Sequence, residues 1–161
     1  MSSHLTAADR DGLRIRRAEA GDAKALTTMV RRSRAYEGPY RAMVDGYVVG
    51  PDYIETHQVF LASDPDGALL GFYALVVADA ELDLMFVADA AQGRGVGRRL
   101  IAHMLDQART AGLSGVRVIS HPPAEGFYQS VGARRTGMAP AISSKIFWER
   151  PELLFAVPRE G

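Results

Sequence analysis

Three glycines fall within five residues, at Gly93, Gly95 and Gly97, in the run Gln92-Gly93-Arg94-Gly95-Val96-Gly97. Glycine loses more conformational freedom on folding than any other residue, so this density marks a backbone that turns tightly or meets a ligand closely. An apolar run ends just before it and a helical pattern opens at Gly97. A strand, a glycine turn and a helix start bring free backbone N–H groups and the positive end of a helix dipole to one point, which is an anion site. The dinucleotide fingerprint needs a different glycine spacing and a later acidic partner, and a Walker loop needs Gly-Lys-Ser/Thr; the chain has neither.

Ahead of the loop, "AELDLMFVA" alternates as a strand does, with Leu82, Leu84 and Phe86 on one face and Glu81, Asp83 and Met85 on the other. Two carboxylates on one face are candidate proton acceptors, and they are equally the residues of ordinary surface ion pairs. His121 is a further titratable candidate, for which proton shuttle and idle strand-end residue both stand open.

The elements that would hold these groups can be read in order. "LRIRRA" at 13–18 alternates apolar with basic residues and predicts a strand after a polar leader, residues 1–12. Asp22 is the expected N-cap of a helix burying Leu26, Met29 and Val30, which ends before the Gly38-Pro39 pair. From Tyr36 to His57 glycines and prolines blur the pattern, and four of the six tyrosines fall there. "QVFLAS" and "ALLGFYALVVA" flank "DPDG" and predict a hairpin. Leu100, Ile101, Met104, Leu105 and Ala108 recur at helical spacing until "AGLSG". "VRVIS" is a strand, "PPAEGFYQSVGA" a short helix ended by Gly132, and "ARRTGMA" and "ELLFAVP" two closing strands.

A chain of 161 residues is enough for one domain with a full core. Lysine plus arginine equals aspartate plus glutamate at 19 each, so no global field recruits nucleic acid or an anionic membrane. No cysteine is present, which removes disulfides, thiolate metal sites and a thiol nucleophile; no metal site is expected. No apolar run approaches the roughly 20 residues a bilayer needs, and the leader lacks a signal pattern, so a cytoplasmic protein is expected.

The glycine run with its "FVADAA" lead-in resembles the Q/R-x-x-G-x-G/A signature of the GNAT superfamily of acyl-CoA-dependent N-acetyltransferases. "AEGFYQSVGA" resembles the second signature of that family, a short helix with an alanine, an aromatic-Tyr pair and a following glycine. The resemblance implies one α/β (α+β) domain over residues 13–158, with a mixed, mostly antiparallel sheet splayed open between two central strands and flanked by helices. It implies acetyl-CoA as co-substrate, its pantetheine amides paired with the backbone of Met85, Phe86 and Val87. Gln92, Gly93, Arg94, Gly95, Val96, Gly97 and Arg98 would hold the diphosphate.

Amide formation from a thioester needs a neutral amine, a stabilised oxyanion and a proton for the departing thiolate. Glu81 matches the position of the general base in some family members, and Asp83 follows on the same strand face; Tyr128 matches the tyrosine placed near the sulfur. At His121 many members have a cofactor-contacting asparagine, so this chain departs from the pattern there. Tyr36, Glu37, Tyr40 and Trp148 are the expected walls of the acceptor site. The resulting expectation is direct acetyl transfer to a primary amine of a small molecule, with no nucleic acid or membrane partner and a homodimer allowed. A protein or peptide amino group as acceptor, and a catalytically silent CoA-binding sensor, remain as alternatives.

Overall fold

Periodicity and turn chemistry set the elements. The computed structural model describes residues 12–33, 36, 38–44, 46–140 and 149–158; the leader through residue 11, Glu37 and Trp148 lie outside the described residues. Strand β1 (Arg14–Arg17) is followed by α1 (Ala23–Arg32), α2 (Pro51–Thr56), β2 (Gln58–Ser63), β3 (Leu69–Val76) and β4 (Glu81–Val87). Then come α3 (Val96–Thr110), β5 (Gly115–Ile119), α4 (Glu125–Ser130), β6 (Arg134–Ala139) and β7 (Arg150–Ala156). The β2–β3 turn forms because the Asp64 carboxylate accepts the N–H groups of Asp66 and Ala68, both at 2.9 Å, while Gly67 takes φ +87°.

Among the described residues the strands form one open sheet in the order β1-β2-β3-β4-β5-β7-β6. Every neighbouring pair is antiparallel except β4 and β5, which run parallel and meet only at Glu81 opposite Arg117. Beyond that pair the two strands part, and the β5-facing edge of β4 is left without a ladder partner. This is the expected splay.

Two apolar cores cover the faces. On one, Leu100, Ile101, Met104 and Ala108 of α3 pack with Tyr73, Leu75, Val116, Val118, Leu153 and Phe155. On the other, Leu26 and Val30 of α1 and Ile54 of α2 pack with Val59, Leu61, Phe72 and Ala74. Such helical stripes over alternating strand positions supply the main stabilisation of the sheet.

The strict alternation read for β4 does not hold. The register steps from Ala74 opposite Leu84 to Leu75 opposite Leu82, so Asp83 is an extra residue, a β-bulge. Leu82 therefore joins the α3 core with Met85 and Val87 packed against it, while Leu84 and Phe86 enter the α1 core. Asp22 is also not used as expected: it makes no side-chain cap to α1. Its carboxylate instead accepts the Glu19 N–H at 2.8 Å and pairs with Arg16 at 2.9 Å. No helix among the described residues is long and apolar enough to cross a membrane.

Candidate active site

The glycine loop joins β4 to α3 across the splay. Gly93 and Gly95 each take φ +80°, and a Cβ at either would meet no atom within 4 Å, so the loop surface is open and only glycine sits there unstrained. Gly97 serves a different end: a Cβ there would approach Phe127 at 3.0 Å and Met85 at 3.5 Å, so its bareness lets α4 and β4 close against α3. The first helical N–H to find a carbonyl is that of Arg99, which donates to Gly95 at 3.1 Å. The N–H groups of Val96, Gly97 and Arg98 precede it and have no helical acceptor. Those three residues line a cleft of about 590 Å³ whose other walls include Met85, Phe86, Val87, Gln92, Gly93, Gly95, His121, Phe127 and Tyr128.

A second cavity of about 230 Å³ lies on the other side of the splay, between Tyr47, Glu81, Asp83, Leu84, Ser120 and Arg150. The two share Tyr36, Met85, Phe86, His121 and Tyr128 as walls. At that junction the Tyr36 ring stacks on His121 with centroids 3.9 Å apart and on Phe86 at 5.4 Å. Burial pushes the Tyr36 phenol up to about 12. Tyr128 is 7% exposed and packs edge-on against Phe127 and Phe155. Burial first, and the neighbouring Tyr36 second, hold its phenol above the usual range, so it stays protonated and keeps an O–H to donate.

The residues of the acidic wall are each anchored. Glu81 Oε1 accepts from Arg117 at 3.2 Å, with the glutamate side chain 19% exposed. Burial raises the Glu81 carboxyl above its ordinary value, against the opposing pull of Arg117. The Tyr53 hydroxyl donates to Asp83 Oδ2 at 2.5 Å, and burial together with that bond raises the Tyr53 phenol.

A family model for the acetyltransferase (GNAT) domain matches residues 48–143. The chain belongs to this family. No curated protein sequence matches it significantly. Among solved structures, the GCN5-related N-acetyltransferase from Rhodopseudomonas palustris superposes with a TM-score of 0.74 at 16% identity, over 89% of this chain and 94% of the other. A putative acetyltransferase from Salmonella typhimurium, solved with its cofactor acetyl-CoA, gives 0.69 at 18%, over 92% and 96%. A spermidine N-acetyltransferase variant from Vibrio cholerae gives 0.67 at 20%, over 90% and 94%. At these identities the likeness is one of fold.

Acetyl-CoA is the co-substrate of GNAT domains, and the open glycine loop, the free N–H groups at the α3 start and the unladdered edge of β4 fit it. Of the residues singled out in the sequence, Met85, Phe86, Val87, Gln92, Gly93, Gly95, Val96, Gly97, Arg98, Tyr36 and Tyr128 line the larger cleft. Arg94 does not; its N–H donates to Ala91 at 3.3 Å. The Gln92 side-chain amide donates to the Val87 carbonyl at 3.2 Å, fastening the loop to the strand end. Tyr40 lines neither cavity and stands edge-on to His121 at 5.8 Å. Glu81 and Asp83 line the second cavity despite the bulge. Sequence reasoning missed Tyr47, Tyr53, Arg117 and Arg150; the cluster of tyrosines at 36–57 was the one available signal for the first two.

Proposed function

We propose that this GNAT domain transfers the acetyl group of acetyl-CoA directly to a primary amine of a small molecule. The observation that carries the reading is the junction of the two cavities: one face of the Tyr36, Met85, Phe86, His121 and Tyr128 wall looks to the glycine loop, the other to Glu81 and Asp83. Acetyl-CoA brings the activated thioester. The chain's N–H groups at Val96, Gly97 and Arg98 bind the diphosphate, and the open edge of β4 at Met85 to Val87 aligns the pantetheine arm. Tyr128 gives a proton to the departing sulfur as the nitrogen of the collapsing tetrahedral intermediate returns one to it, so that no phenolate is left in the buried site. Glu81 takes the ammonium proton through water, and Asp83, fixed by Tyr53, holds the amine. Without a cysteine to carry the acyl group, two substrates bound side by side provide the simplest route, since shared binding removes much of the entropic barrier.

The second cavity is smaller than the roughly 300–1,000 Å³ of drug-sized sites, which favours a small acceptor over a peptide. Acetyl-CoA-dependent thiol release should appear with small primary amines and not with peptides. Thiol release with peptides alone would replace the acceptor class, and none with any amine would leave a CoA-binding sensor. Glu81→Gln should lose most turnover at low pH and recover partly as free amine becomes abundant, measured over about pH 6 to 10. A loss equal at every pH would assign Glu81 to positioning.

A further inference from the structure

The second cavity carries both signs of charge. Glu81 and Asp83 stand on the β4 side, and Arg150, the first residue of β7, stands on the other. Arg150 is placed there by topology. Strand β7 inserts between β5 and β6, Pro151 accepts the Ser120 N–H at 2.9 Å, and the Arg150 side chain thereby comes beside Ile119, Ser120 and His121 at the splayed end of β5.

Its guanidinium is poorly provided for. One terminal nitrogen donates to the Pro140 carbonyl at 3.3 Å, and the buried Nε has no hydrogen-bond partner among the described residues. No carboxylate pairs with it among those residues: Glu81 is paired with Arg117, and Asp83 with the Tyr53 hydroxyl. A half-buried cation with one carbonyl acceptor and no carboxylate among the described residues costs free energy unless something entering the cavity supplies a further acceptor to its terminal nitrogens. Arg150 does not line the larger cleft, so the phosphates of the cofactor are not that acceptor. Acids and a cation that wall one small cavity without pairing to each other are complementary to a molecule carrying both charges.

We propose that the acceptor is a small amine bearing a carboxylate, an amino acid, whose ammonium end lies toward Glu81 and Asp83 and whose carboxylate pairs with Arg150. The inference deepens the acetyltransferase reading and rests on it for the identity of the cavity as the acceptor site. A polyamine, cationic at every nitrogen, would meet Arg150 with repulsion. A carboxylate meets a planar fork of donors that suits bidentate pairing.

The test is calorimetric binding to the protein saturated with CoA, using matched pairs that differ by the carboxylate: tyrosine and tyramine, histidine and histamine, ornithine and putrescine, lysine and cadaverine. At least one amino acid should bind about tenfold to a hundredfold more tightly than its decarboxylated partner, the usual range for a charge-assisted hydrogen bond. Arg150→Gln should erase that preference and leave the binding of the bare amine unchanged or improved. Arg150→Lys, which keeps the charge without the fork, should retain part of it, and it serves if the glutamine variant does not fold. Bare amines binding as well as every amino acid, or a carboxylate preference surviving in Arg150→Gln, would overturn the proposal. Thiol release from acetyl-CoA is measured separately on the same pairs. Carboxylate-dependent binding without turnover would defeat the transferase reading and leave the Arg150 site standing, whereas turnover of bare amines alone would do the reverse.

Discussion

Tyr128→Phe is expected to lower turnover by about 10²–10⁴-fold while leaving acetyl-CoA affinity unchanged, because the substitution removes a proton donor and nothing else. The ring is held by Phe127 at 5.4 Å and Phe155 at 6.2 Å, contacts that phenylalanine keeps. Burial disfavours the phenolate, so the hydroxyl carries its proton across the whole working range and cannot serve as the base. Its effect should therefore be a drop in kcat with little dependence on pH, in contrast to Glu81→Gln. The proposed pairing of an acid on the cofactor side with a base on the acceptor side rests on where β4 and β5 part. Tyr128 lines both cavities, Glu81 only the second. Stopped or steady-state thiol release, with cofactor affinity measured by calorimetry, reads the two effects apart. Full turnover in a folded Tyr128→Phe protein would remove the phenol from the chemistry.

Much of this arrangement is local and was legible. The alternation of β1, the aspartates and single glycine of the β2–β3 turn, and the stripe of Leu100, Ile101, Met104 and Ala108 each report a period or a turn that neighbouring residues decide among themselves. The glycine loop was legible for the same reason, since its φ angles demand glycine wherever the chain goes next. The bulge at Asp83 left no such mark. One extra residue in an alternating run looks like alternation, and only the pairing with Ala74 and Leu75 shows that Leu82 has changed face. Asp22 was misread because a short carboxylate before a helix suits a cap, yet Arg16, six residues back, claims both its oxygens. The wall of the second cavity was hidden by distance along the chain. Tyr53 meets Asp83 across 30 positions, and Arg150 reaches the cavity because β7 lies between β5 and β6, an order no stretch of sequence spells out. The stacking of Tyr36 on His121, a residue for which the sequence left several roles open, was not legible.

The glycine loop gives the second large effect, and it concerns binding before chemistry. A ligand held only by the folded protein adds RT ln(1 + [L]/Kd) to stability, about 2.7 kcal/mol at a hundredfold excess over Kd. For a chain of this size that corresponds to a rise in Tm of roughly 5–10 °C. Gly95→Val should abolish the rise. Valine is disfavoured at φ +80°, and its side chain would stand in the open space at the loop surface, where the proposed diphosphate site lies. The substitution also strains the backbone, at about 1–3 kcal/mol, so a lower starting Tm is expected and is not itself informative. Gly112→Val separates the two contributions. Gly112 takes φ +84° with no atom within 4 Å of a Cβ, at the far end of α3 and outside the cleft wall. It should lose a similar amount of stability and keep the full acetyl-CoA shift, read in the same differential scanning experiment. A folded Gly95→Val protein that still gains several degrees with acetyl-CoA would move the diphosphate off the loop, and with it the orientation that directs the thioester toward Tyr128.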